Sequence, residues 1–201
     1  MNKLFNIIFK DLKKDRSIYY SLIIVCIISI VFGILFITIL KDTDKVLLSN
    51  QINSFFESIK SNTYNRNLSL LLSNDILLVI IFILGFSIIG IPILIIILFY
   101  KGFTLSFTIT SLIYNFKSDG IFFSFIYVFP HLIINIMFYF ILIYYSFKLS
   151  VNIIDSIINK KTFNRHYIKK YLIVLLISLL FISLSSLYET FILPYLIKMI
   201  Y

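Results

Sequence analysis

Residues 76–116 read ILLVIIFILGFSIIGIPILIIILFYKGFTLSFTITSLIYNF, 41 positions between Asp75 and Lys117 interrupted by one charge, Lys101. A hydrocarbon core is about 30 Å thick and an α-helix rises about 1.5 Å per residue, so a crossing takes about 20 residues. Forty-one residues therefore hold two crossings. The pair divides either at Lys101, or at Gly90 and Pro92 with Lys101 left inside the second helix. A lysine at a helix centre costs about 2.5–3.5 kcal/mol on insertion scales, whereas a cytoplasmic turn favours it. The expected turn is thus at Lys101, with helices over 76–100 and 102–117. Both divisions give an even number of crossings, so the remaining topology does not depend on the choice.

Other charge-free runs extend the pattern on either side. Residues 17–40, between Arg16 and Lys41, number 24 and form a first helix. They exceed the apolar region of a signal peptide, and an Ala-x-Ala cleavage site cannot occur in a sequence without alanine. Residues 121–147, carrying Pro130 and His131, make the fourth helix, and 171–197, interrupted by Glu189 and Pro194, the fifth. The fold class is all-α: a polytopic integral membrane protein, one membrane domain over 1–201, with five transmembrane helices that are broken or kinked in places. Between them lie a loop over 41–75 and a basic loop over 148–170. Placing the N-terminus in the cytoplasm puts twelve Lys and Arg inside and six outside, the asymmetry that sets topology. Loop 41–75 is then extracytoplasmic, loop 148–170 cytoplasmic and the C-terminus external.

Composition agrees with lipid as the solvent. The chain is 60% hydrophobic and 13% charged with a mean hydropathy of +1.02, whereas soluble globules run about 45–50% apolar and 25% charged. A net charge of +9 would suit nucleic acid only on a water-facing domain, and no such domain is present, so no nucleic-acid partner is expected. The single cysteine, Cys26, excludes an intrachain disulfide or a cysteine metal cluster.

Two aqueous segments carry helical periodicity. In residues 1–14, Leu4, Phe5, Ile8, Phe9 and Leu12 share one face and Lys3, Lys10, Lys13 and Lys14 the other, which suits anionic lipid. In the long loop, Leu48, Ile52, Phe55, Phe56 and Ile59 form a stripe on a short helix from near Asp44 to before Asn62. Such a stripe rests on the bilayer or on the protein's own helices, or else it docks an extracytoplasmic partner.

Candidates for chemistry are sparse. His131 and Glu189 are ionisable groups within apolar runs, as is Lys101, and such groups are functional candidates. A His131–Glu189 pair across the last two helices would relay protons or supply half a metal site, or each would simply hydrogen-bond to another helix. One His and one carboxylate fall short of a closed zinc site, and the motifs His-Glu-x-x-His and Gly-x-Ser-x-Gly are missing. No cofactor is expected. All three prolines, Pro92, Pro130 and Pro194, and Gly33, Gly85 and Gly90 lie inside apolar runs. Backbone groups freed there must face protein or a wet cavity, as in the broken helices of transporters or in plain kinks.

The run Gly85-Phe-Ser-Ile-Ile-Gly90-Ile-Pro92, followed by Lys101-Gly102 and by Phe107-Thr108, resembles the centre of the bacterial stage II sporulation protein M family. Arg16-Ser17-Ile18-Tyr19 before a helix carrying Gly33, and Tyr188-Glu189 through Pro194 with Lys198-Met199, extend the resemblance over most of the chain. Ser106 stands where the family usually has glycine. Broader relatives carry Pro-His-Gly-x-x-Glu, whereas Pro130-His131 is followed here by Leu132 and Asn135, which weakens a His–carboxylate reading at that site. The resemblance implies assembly rather than catalysis. It suggests a non-enzymatic platform in the bacterial cell membrane, at the sporulation septum, holding two membrane-anchored peptidoglycan hydrolases, stage II sporulation proteins D and P, during forespore engulfment. Gly85, Gly90, Pro92, Lys101, Gly102, Pro130, His131, Glu189 and Pro194 are its packing or partner candidates. The rival is a small-solute or lipid transporter or channel component, marked by an ionisable pair at mid-depth. The sequence leaves self-association into a homo-oligomer open.

Overall fold

Apolar runs of these lengths must close their hydrogen bonds internally, and in the computed structural model they do so as helices. The structure describes residues 16–61, 68–128, 130–158 and 166–200. Along the chain come α1 (Arg16–Ile39), α2 (Asp42–Lys60), α3 (Leu68–Leu84), α4 (Gly90–Phe116), α5 (Ser118–Tyr127), α6 (Leu132–Ile158) and α7 (His166–Leu187). The last continues through a π-helical turn, Tyr188–Ile192, into α8 (Leu193–Ile200). Four helical stretches are long and apolar enough to cross a membrane: α1, α4, α6 and the continuous helix Tyr167–Met199. Helix α3, with 17 residues, is about 25 Å long.

Cross-helix partners fix the directions. Asn74, Ile81 and Gly85, along α3 and its C-terminal turn, bond Tyr139, Ser146 and Ser150 of α6, each pair 65 positions apart, so α3 and α6 run parallel in constant register. Asn74 meets Lys101 while Leu84 abuts Gly90, making α3 and α4 antiparallel. Asp75 meets Ser183 while Ile81 meets Tyr171, so α7 is antiparallel to α3. Ser29 lies against Gly102 and Gly33 against Ser106, so α1 runs with α4. The five passes α1, α3, α4, α6 and α7 therefore alternate in direction, the all-α polytopic arrangement expected.

Several expected boundaries move. The two central helices do not meet at Lys101; α4 runs unbroken through it, and the turn lies at residues 85–89. Pro92 sits in the first turn of α4, where no intrahelical donor is needed. Ser150 Oγ donates to the turn carbonyls of Gly85 at 2.9 Å and Ser87 at 3.1 Å. A Cβ at Gly90 would strike the Leu84 carbonyl, so only glycine lets the turn close on α3. Helix α3 begins at Leu68 rather than at 76 and carries Asn74 and Asp75 within it. The expected fourth helix, 121–147, is two: α5 ends at Tyr127, and α6 begins at Leu132 and runs on to Ile158, well into the expected loop 148–170. Pro130 cannot donate to the carbonyl of Ile126, which instead accepts from Tyr188 OH at 3.5 Å. The amphipathic N-terminal segment 1–14 and residues 159–165 of the basic loop lie outside the described residues.

Helix α6 is the hub. Tyr139, Leu142, Ile143, Tyr144 and Leu149 are buried against Leu78 and Ile81 of α3, Leu94 and Leu98 of α4, and Tyr171, Val174 and Ile182 of α7. Around them α1 and the outer faces of α4 and α7 present exposed Ile, Leu and Phe, a surface that only lipid solvates. A second core, at the α2 end, gathers Phe56, Ile59, Leu112, Phe123, Val128, Leu193 and Ile197.

Candidate functional site

Half-way along α4, 11 residues or about 16 Å beyond Gly90, Lys101 enters the bundle instead of leaving it. Its Nζ donates to Asn74 Oδ1 at 3.2 Å and stands 4.5 Å from the centre of the Tyr139 ring, a cation–π contact that strengthens when desolvated. Asn74 is the clasp of this layer. Its carbonyl and Oδ1 accept from Tyr139 OH at 3.1 and 3.3 Å, and its Nδ2 donates to Ser186 Oγ at 3.4 Å. Asp75 accepts from Ser183 Oγ on both carboxylate oxygens at 3.1 Å. Four helices thus contribute to one polar layer at mid-depth.

Glu189 enters the layer from the π-helical turn. A π turn inserts one extra residue into the helical ladder and often marks functional sites; here the Leu193 N–H reaches back to the Tyr188 carbonyl. Pro194 follows immediately and has no N–H of its own to continue the ladder. Glu189 lies within electrostatic reach of Lys101. Its Oε1 is 3.9 Å from Nε2 of His131, beyond hydrogen-bond length. His131 is fully buried, its carbonyl held by Ser185 Oγ at 3.1 Å and its ring edge-on to Tyr127 at 5.2 Å. Among the described residues its Nδ1 has no hydrogen-bond partner, and neither has Oδ1 of the buried Asn135, one helical turn further on.

The predicted residues separate into three groups. Lys101, His131 and Glu189 are brought together, with Pro130 at the α5–α6 break and Pro194 just past the π turn beside them. Gly85, Gly90 and Pro92 shape the turn at the far end of α3. There a Cβ on Gly85 would lie 2.5 Å from Tyr171 OH, the hydroxyl that donates to the Ile81 and Phe82 carbonyls at 3.1 and 3.0 Å and bonds Ser146. Gly102 faces Ser29 across α1 and α4. Sequence reasoning missed Asn74, Asp75, Tyr139, Ser183 and Ser186. The signal was available along α7 and the π turn, where Ser178, Ser185, Ser186 and Glu189 recur at helical spacing within an apolar run.

The stripe on α2 is covered by the protein itself. The helix forms where expected, but Phe56 and Ile59 are buried, and Ile52 and Phe55 pack beside them against Phe116 and Phe123. Ser49 Oγ and Asn53 Oδ1 bond Asn115 of α4 at 2.5 and 2.8 Å, and Leu48 is half-buried. The stripe is therefore not a free docking face, because the chain's own aromatic core is its partner. Among the described residues no three His, Cys, Asp or Glu gather as metal ligands.

Residues 22–194 match the family model for stage II sporulation protein M, a span that runs from within α1 to the start of α8 and holds the whole polar layer. No curated protein matches the chain, and no solved structure does.

Proposed function

The chain belongs to the stage II sporulation protein M family, and from that premise we propose that it is a non-enzymatic scaffold that holds the peptidoglycan hydrolases, stage II sporulation proteins D and P, at the septum during engulfment. The observation that carries the reading is the family match over residues 22–194, most of the five-pass body. Membership makes this a sporulation-related membrane protein; the platform role is the finer inference. It is supported by economy of aqueous mass. The longest described segment between passes is α2, 19 residues that lie against the bundle, too little to fold a hydrolase domain. With Lys101 and Lys148 inside the bundle, ten cations of the sequence still fall on the cytoplasmic side against six outside, an asymmetry that supports α2 and the α5–α6 break facing the side where wall hydrolases work.

Affinity capture of the tagged full chain from sporulating cells tests it. Recovery of the two wall hydrolases supports the platform. Their absence, together with cleavage of muropeptides by the isolated chain, overturns it. One observation favours the transport reading instead: Lys101 and Glu189 are an ionisable pair at mid-depth, the feature a coupled carrier needs. Glu189→Gln abolishes solute uptake by reconstituted vesicles if the chain is a carrier, and leaves a platform with altered stability or partner capture.

A further inference from the structure

The turn between α3 and α4 is built for lipid rather than for water. Cytoplasmic connections between passes are rich in Lys and Arg, yet no charge occurs in residues 76–100, and the turn itself reads Gly85-Phe-Ser-Ile-Ile-Gly90. Phe86, Ile88 and Ile89 are 44%, 48% and 75% exposed, whereas Gly85 and Gly90 are buried. Apolar exposure alone would suit a protein partner as well as a bilayer, but the backbone and the depth of the turn choose between them.

Backbone at membrane depth has to find its hydrogen bonds within the protein, and most of this turn does. The amides of Phe86, Ser87, Gly90 and Ile91 donate to the carbonyls of Ile83, Leu84, Ser87 and Ile88. Pro92 has no amide hydrogen, and Ser150 Oγ covers the carbonyls of Gly85 and Ser87. The start of a helix ordinarily leaves such donors to water or to a cap; α4 occupies them with the turn.

Register sets the depth. Ser29 faces Gly102 and Gly33 faces Ser106, each pair 73 positions apart, which puts the exposed Arg16 level with Ile89. Tyr171 meets the carbonyls of Ile81 and Phe82, so Lys169 and Lys170 of the antiparallel α7 lie level with residues 83–84, Lys169 exposed. From Asn74 in the polar layer to Leu84 is ten residues, about 15 Å of helix and half the thickness of a hydrocarbon core. Outward apolar side chains at a level flanked by cations match a leaflet of anionic phospholipid, with acyl chains against the one and phosphates against the other.

We propose that the 85–89 turn is a lipid-binding cap, with Phe86, Ile88 and Ile89 among the acyl chains of the cytoplasmic leaflet and Arg16 and Lys169 on the phosphates of anionic phospholipids around it. The turn is thus not a docking loop in the cytoplasm. On this side α6 is the element that continues, eight residues or about 12 Å past Ser150 to Ile158. The assignment does not depend on which partners the protein holds.

The test places one fluorophore on the full chain in lipid nanodiscs, in a Cys26→Ser background, at Ile89→Cys or, as the aqueous reference, at Glu57→Cys on the exposed face of α2. Bromines on acyl chains are expected to quench residue 89 and leave residue 57 bright, and iodide in the water to do the reverse. Brominated phosphatidylglycerol is expected to quench residue 89 more than brominated phosphatidylcholine at the same mole fraction, and Arg16→Gln with Lys169→Gln to abolish that difference. Ile88→Cys repeats the measurement should Ile89→Cys fail to fold. Iodide quenching at the turn as strong as at residue 57 overturns the proposal, and so does equal quenching by the two brominated lipids before the cations are removed.

Discussion

Gly33 and Gly102 look equivalent in the sequence, since each lets α1 and α4 approach, yet what each faces is different. A Cβ on Gly102 closely meets the Ser29 side chain, hydroxyl first and Cβ at 3.1 Å, with the Cys26 carbonyl at an ordinary 3.7 Å, whereas a Cβ on Gly33 also meets the Phe103 carbonyl at 2.7 Å, and backbone cannot rotate away. Overpacking of this kind costs about 1–3 kcal/mol. Gly102→Ala is expected to lose stability that Ser29→Ala largely restores in the double variant; Gly33→Ala is expected to lose more and to regain only a small part from Ser106→Ala, because the Phe103 carbonyl stays in place. Thermal unfolding in detergent reads both, and equal rescue at the two sites would refute the distinction. Lys101 invites a second cycle. Removing one member of an interior charge pair leaves the other uncompensated, on the order of 3 kcal/mol. Lys101→Met alone is therefore expected to destabilise the bundle far more than Lys101→Met with Glu189→Gln, and additive losses would show that the two charges do not interact.

Helix breaks are decided by who satisfies the freed backbone. At Pro130 the Ile126 carbonyl is claimed by Tyr188 OH, so the π-turn residue next to Glu189 also closes the α5–α6 break. Tyr188→Phe should cost about 1 kcal/mol and raise amide exchange around 126–132 while leaving α1 unchanged. Between α4 and α5 the whole reversal is made by Lys117, at φ 53° and ψ −121°, a conformation that suits glycine and costs other residues about 1–3 kcal/mol. Lys117→Gly is expected to raise the unfolding temperature, and a drop would mean that the lysine side chain matters more than the strained backbone. Helix α2 is held by Phe56 and the Ser49–Asn115–Asn53 clasp. Phe56→Ala, at about 3–5 kcal/mol for a buried aromatic, should release α2 to fast exchange with α6 still protected.

At the scale of the whole molecule, alternation of the five passes places α2 and α8 at one end of the bundle and the 85–89 turn at the other. In a Cys26→Ser background, a thiol reagent that cannot enter cells should modify Glu57→Cys, on the exposed face of α2, and spare Lys169→Cys near the start of α7; the reverse would invert the orientation. The sequence alone determined the all-α membrane class, the five passes, the parity of the topology and the helix of the long loop, because apolar length and helical period are local properties that lipid selects directly. It placed His131 and Glu189 in the membrane and was silent on whether they meet. Tertiary structure alone decided where the passes begin and end, and for one reason. Charges serve as boundaries only when no partner inside the bundle answers them. Asp75 finds Ser183, Lys101 finds Asn74, Tyr139 and Glu189, and Lys148 lies buried over the rings of Tyr144 and Tyr167. Each was read as an edge of the membrane, and each lies within a helix. Those partners come from positions up to 108 residues away, a distance that no local pattern of hydropathy can register, and the layer they build is the part of this protein that only folding makes visible.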